Sequence, residues 1–232
     1  MVAVLLLTLV TGCGHVIGGA AQPATAAIDI LPSEAQLSDA VGNGLSTFDF
    51  RPFVGGPEIM PDGFRTDDDA TPFRCIGVTE TMLRATYAGA DVLEAARQSY
   101  FTLAAGARVS GADAAAVRFG SDGAARDRFQ AFAEQWRGCD GQTVVKHLRG
   151  TNDTDVDAAI TAVVTDEDLL TATVVTRQGV GAAEQRYVRA VGVREDAIVE
   201  VSLAVSPSGA TGSNDAAAKV AHEMLDRVGV RH

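Results

Sequence analysis

Three cysteines carry most of the chemistry this chain advertises. Val10-Thr11-Gly12-Cys13 ends an apolar run that starts at Met1. An apolar h-region followed by small residues is an export signal, and it is too short for a spanning helix, which needs roughly 20 residues. A Cys directly after the small pair has the form of a bacterial lipobox. Its thiol would take a diacylglyceryl group, and cleavage before Cys13 would leave it as a lipidated N-terminus. One feature departs from the usual signal: Met1-Val2-Ala3-Val4 contains no Lys or Arg. The competing reading is a buried apolar strand with a core cysteine. The segment that follows favours the lipobox. No charged residue precedes Asp29, and His15 to Ala27 is mostly Gly, Ala, Pro and Thr. Such a stretch cannot bury enough surface to fold, so it reads as a tether.

Cys75 and Cys139 remain. In an oxidising compartment two cysteines read as one disulfide, closing a loop across a sequence separation of 64. The alternative is a pair of free buried thiols. Neither has a Cys or His within four residues, so a metal site is not expected. Other motifs fail on inspection. His222-Glu223-Met224-Leu225-Asp226 opens like H-E-x-x-H, but Asp226 stands where the second His must be. Asp153-Thr154-Asp155-Val156-Asp157 opens like a calcium loop, yet Ala158 and Val164 occupy the required Gly and Glu positions. Both read as solvated surface, as does Asp67-Asp68-Asp69. His147 falls on a strand, where it is structural. No catalytic residue, metal site or cofactor is expected, and no ligand-binding residue is assigned.

The elements that position these groups follow from pattern. The chain has 232 residues, 47 % hydrophobic and only 6 % aromatic. Residues 1–12 are the signal peptide, 13–28 the tether and 29–232 a single domain, within the usual size range. Lys146 and Lys219 are the only lysines. An Arg-, Ala- and Val-rich chain with little Lys points to a GC-rich genome such as an actinobacterial one. The net charge of −11 disfavours nucleic acid and gives no attraction to anionic lipid, so the membrane is reached through the acyl anchor.

Ser33 to Val41 has the pattern of a helix capped by Ser33. Residues 42–73 are irregular, and Phe48, Phe50, Phe53 and Phe64 imply that this segment packs down. A second helix opens at Cys75, with Thr79, Met82, Leu83 and Tyr87 on one face, and ends at Ala88-Gly89. Strands follow at 96–104 and 114–119. Ser121 to Arg137 is the clearest helix: Ala125, Phe129, Phe132 and Trp136 form one stripe, and Gly138 stands at the left-handed C-cap position. Five strands then form a meander, about 142–149, 156–165, 169–176, 184–193 and 197–206, joined by short turns. A last helix runs from about Asn214 to Val228, apolar along Ala217, Val220, Ala221, Met224 and Val228. The expected fold is α+β: an antiparallel sheet of five to seven strands with helices on one face.

Several of these features together resemble the PknH-like extracellular domain family of mycobacteria and their relatives. They are Pro72-x-x-Cys75-x-Gly77-Val78, Tyr87-x-Gly89, Val117-Arg118-Phe119, Ala124-Ala125, Phe129 and Trp136-x-x-Cys139, with the meander and C-terminal helix after them. The resemblance spans roughly residues 31 to 229. It implies the sensor domain of a membrane Ser/Thr kinase, a fold that also recurs in stand-alone lipoproteins, with a cleft proposed to take an unknown ligand. The kinase sensor carries two disulfides, whereas this chain has cysteines for one. The sequence contains no kinase domain, so signalling would need a partner protein. The leading expectation is a non-enzymatic, lipid-anchored sensor-type lipoprotein on the outer face of the cell membrane, binding a small-molecule or envelope ligand. A lipid or glycolipid carrier and an envelope hydrolase are the alternatives.

Overall fold

The computed structural model describes residues 25–150, 153–179, 181–206 and 213–229. The lipobox, Cys13 and most of the tether lie outside them. Seven long strands are built from the Ala-, Val- and Thr-rich segments: β3 (Val92–Phe101), β4 (Val109–Phe119), β5 (Thr143–Leu148), β6 (Thr154–Thr165), β7 (Leu169–Gln178), β8 (Gln185–Arg194) and β9 (Ala197–Val205). Two short strands, β1 (Phe53–Gly55) and β2 (Ala70–Thr71), complete the sheet. All neighbours are antiparallel, in the order β1-β3-β4-β9-β8-β7-β6-β5-β2. The sheet therefore has nine strands, not five to seven. The two extra strands hold three and two residues, too few to show a period of two.

The helices α1 (Ala27–Ile30), α2 (Glu34–Val41), α3 (Ile76–Thr79), α4 (Asp122–Cys139) and α5 (Ser213–Leu225) cover both faces, not one. The cause is legible in β4. Ala115, Val117 and Phe119 enter one core with Phe129 and Trp136 of α4, while Ala114 and Ala116 enter a second with Leu37 of α2 and Met224 of α5. A strand buried on both sides needs a layer on each. The chain joins the second layer early. Ala27 is buried and its N–H donates to Glu94 Oε2 at 3.0 Å, so residues 25–28 belong to the folded unit and not to the tether.

Local chemistry sets the helix ends. Ser33 caps α2 in a reciprocal box with Gln36, and Gly42 closes it at φ 75°. Ser121 Oγ accepts from Ala124 N, a cap contributing about 1 kcal/mol. The α4 stripe is buried as its spacing requires, but the helix passes Gly138 and ends at Cys139; Gly141, at φ 75°, takes the left-handed turn instead. The buried face of α5 is the one its sequence marks, and it lies close on β8 at Gly192, where a Cβ would come within 2.7 Å of Leu225 Cδ1.

Two expectations for the irregular region change. The helix expected over 75–87 is one turn, α3, followed by a 3-10 turn at Arg84–Tyr87. Between them Met82 sits at φ 53°. Of the four phenylalanines, Phe64 packs on the core, whereas Phe48, Phe50 and Phe53 are exposed.

Candidate functional site

The α4 face of the sheet is only partly covered. The helix and the segment 59–87 roof one end, and beyond that roof lies a cleft of about 440 Å³. Its floor draws on every long strand: Arg97, Asp113, Ser202, Tyr187, Thr176 and Val156, with Lys146 and Leu148 both from β5. All project to the same side because strand residues alternate between faces and the registers bring these positions into a row. Pro61, Phe64 and Thr79–Thr81 form the wall.

The charges in the cleft are paired. Arg97 Nη2 lies 3.2 Å from Asp113 Oδ1, which also accepts from Ser99 Oγ at 2.5 Å. Lys146 Nζ donates to Glu80 Oε1 at 2.5 Å across the floor–wall junction. Tyr187 is half-buried between the pairs. Burial first, then the Glu80 and Asp113 carboxylates, raise its pKa, so its hydroxyl stays a neutral donor well above neutral pH. The cleft thus offers hydroxyls, an aromatic face and two nearly cancelled ion pairs. That suits a polar ligand of small net charge.

The wall is held rigidly. Cys75 and Cys139 are joined with S–S 2.05 Å and Cα–Cα 5.6 Å, fixing the start of α3 to the end of α4. Gly77 permits the close approach: a Cβ there would lie 2.6 Å from Gln135 Oε1 and 2.8 Å from Thr86 Cγ2. Arg84 donates to the carbonyls of Glu58 and Met60, and Arg128 to those of Thr86 and Ala88. Beneath the wall, Arg189 and Glu200 form a buried pair at 2.9 Å. Arg189 also donates to Val78 O and lies over the Trp136 ring, with its Cζ 5.9 Å from the centroid. Glu200 accepts from Tyr87 Oη at 2.6 Å and from Met82 N at 3.1 Å. Burial pushes the Glu200 carboxyl up, against the pull of Arg189 and these two donors.

The remaining sequence candidates fall elsewhere. His222 is exposed. His147 Nδ1 lies 2.8 Å from Asp155 Oδ1, on the sheet face opposite Lys146. Asp155 and Asp157 sit on β6, not in a loop. Among the described residues no three His, Cys, Asp or Glu side chains gather as a metal site. The sequence assigns no residue to the cleft, which there is only what the family resemblance implies, and it does not single out Arg189 or Glu200. A lone Arg in Val188-Arg189-Ala190-Val191 and a lone Glu in Val199-Glu200-Val201 were the available signal: opposite charges inside apolar strands of one hairpin.

Comparison with known proteins agrees with this geometry. The family model for the PknH-like extracellular domain matches residues 22–227. The chain belongs to the PknH-like extracellular domain family. Within that family, the crystal structure of the extracellular domain of PknH from Mycobacterium tuberculosis superposes with a TM-score of 0.72 at 17 % identity. The match covers 90 % of this chain and 99 % of that one, and establishes the shared fold. No curated protein matches. Membership of an extracellular-domain family fits an extracytoplasmic location. No described helix is long and apolar enough to cross a membrane.

Proposed function

We propose that this protein is a lipid-anchored, extracytoplasmic ligand-binding lipoprotein of the actinobacterial cell envelope, sensor-type and non-enzymatic. The observation that carries the reading is the open cleft across the sheet of a PknH-like domain, walled by a segment that a disulfide and a buried ion pair hold in place. Cys13 supplies the anchor to the outer face of the cell membrane, and any signal passes to a partner protein. A hydrolase would need an activated nucleophile. Ser99 donates instead to Asp113, which is also paired with Arg97, and among the described residues no histidine lines the cleft to activate a hydroxyl. A carrier would need apolar space between helix and sheet, and there Trp136, Phe129 and Phe132 pack into the core.

Thermal shift with polar fractions of envelope extract tests this. Ligand at a hundredfold its Kd adds about 2.7 kcal/mol. One fraction is expected to raise the wild-type Tm and to leave Lys146→Ala and Tyr187→Ala unmoved. Equal shifts in all three proteins would place binding outside the cleft.

A further inference from the structure

The β1 edge carries apolar side chains that neither core uses. Phe50 and Phe53 are 67 and 66 % exposed, and Phe48, Val54 and Ile28 are 46, 44 and 40 % exposed. Single exposed apolar residues are ordinary, but a group of them marks a surface that meets something else. The pairing of β1 with β3, and the packing of α1 on β3, bring these residues to the same edge. Ile28, Phe50 and Pro52 line one cavity of about 560 Å³ there, with Gln98 and Tyr100 among its other residues.

We propose that this edge rests in the interfacial layer of the membrane, with Phe50 and Phe53 as the inserted side chains. The proposal rests on the reading of Cys13 as the lipid anchor. Three observations favour a bilayer as the occupant. First, the chain enters the domain at this edge: Thr25 Oγ1 donates to Arg227 O, and Ile28 of the entering segment is itself part of the patch. The twelve steps from Cys13 to Thr25 span at most about 40 Å, so the anchor holds this edge near the lipid. Second, a net charge of −11 gives no attraction to anionic headgroups, so contact must be apolar, and this edge supplies it. Exposed Arg51 stands between the two phenylalanines, able to reach lipid phosphate. Third, β1 has three residues, which gives a second copy little backbone to pair with. Docked this way, the sheet stands on its β1 edge and the cleft opens sideways along the membrane surface.

Tryptophan fluorescence tests this. Trp136 is the sole Trp and is 1 % exposed, so an introduced Trp reports separately. The mature lipoprotein is isolated with its anchor and reconstituted in phosphatidylcholine–phosphatidylglycerol vesicles with brominated acyl chains. Phe50→Trp and Phe53→Trp are expected to lose fluorescence about twofold or more against unbrominated vesicles. Wild type and Leu148→Trp, seven strand spacings or about 34 Å away, are expected to keep theirs. The substituted positions are exposed, so the variants should melt with the wild type, and a Phe50→Ser/Phe53→Ser protein serves as a second check. It is expected to remain on vesicles through its anchor while nearby labels lose contact with lipid. Flotation with vesicles without quenching at either position overturns the docking and leaves the anchor standing. Intact mass without a lipid on Cys13 overturns the anchoring reading and this proposal with it. A dimer in detergent that shields Phe50→Trp from acrylamide, with no quenching by lipid, overturns it in favour of a second copy.

Discussion

Arg189→Met is expected to lower the unfolding free energy by about 3–5 kcal/mol, on the order of 10 °C in Tm. The pair is almost wholly buried, at 1 and 4 % side-chain exposure. Without Arg189, the Glu200 carboxylate keeps only the Tyr87 hydroxyl and the Met82 N–H as donors, and an uncompensated buried charge is costly. Val78 O also loses its donor, so the α3 segment loosens along with the sheet. Glu200→Gln keeps an acceptor for both donors and should cost less. The double variant Arg189→Met/Glu200→Gln should fall short of the summed single costs by about 0.5–3 kcal/mol, read from urea unfolding. A pH series gives the same answer independently. Burial raises the Glu200 pKa in the folded protein, so the native state binds the extra proton between the ordinary glutamate value and the raised one. Stability contributed by this group is therefore greatest at the acid end of that window and falls as pH rises through it. Glu200→Gln should flatten that component.

Removal of the disulfide is the second large effect. Joining Cys75 to Cys139 closes a separation of 64 residues, and loop-closure entropy puts its contribution near 4 kcal/mol. Cys75→Ser, Cys139→Ser and the double variant should all melt lower by the same amount, because each loses the same cross-link. A wild type whose melting is unchanged after verified reduction would show that the bond adds nothing. The local consequence is as informative. The bond pins the wall of the cleft, so the Ser variants should also lose affinity for whatever shifts the wild-type Tm, even well below their melting points.

How much of this could be read from the chain depends on how local each feature is. The α4 stripe of Ala125, Phe129, Phe132 and Trp136 was legible because the helix period and the Ser121 cap are written in adjacent residues. The meander was legible for the same reason, with turns at regular intervals. The segment after Cys75 was not. Thr79, Met82, Leu83 and Tyr87 fit a helix, yet Glu200, 118 residues beyond Met82, accepts the Met82 N–H. A tertiary partner thus overrides a local pattern. The faces of the sheet were half legible. Val199, Val201, Leu203 and Val205 marked one buried side of β9, while Ile198 and Glu200 on the other parity are buried too. The lining of the cleft was illegible in principle from spacing, since its floor runs across the strands and takes only one or two residues from each. Phe50 and Phe53 misled because an aromatic residue in an irregular segment argues for packing, and here the short β1 edge leaves both outside.

Native mass spectrometry of the protein purified from its own host shows whether the cleft holds a ligand. The wild type is expected to carry a bound polar envelope molecule, and Lys146→Ala and Tyr187→Ala preparations, equally well folded, are expected not to. The same occupancy in all three, no bound species in any, or an acyl lipid in place of a polar ligand would contradict that expectation.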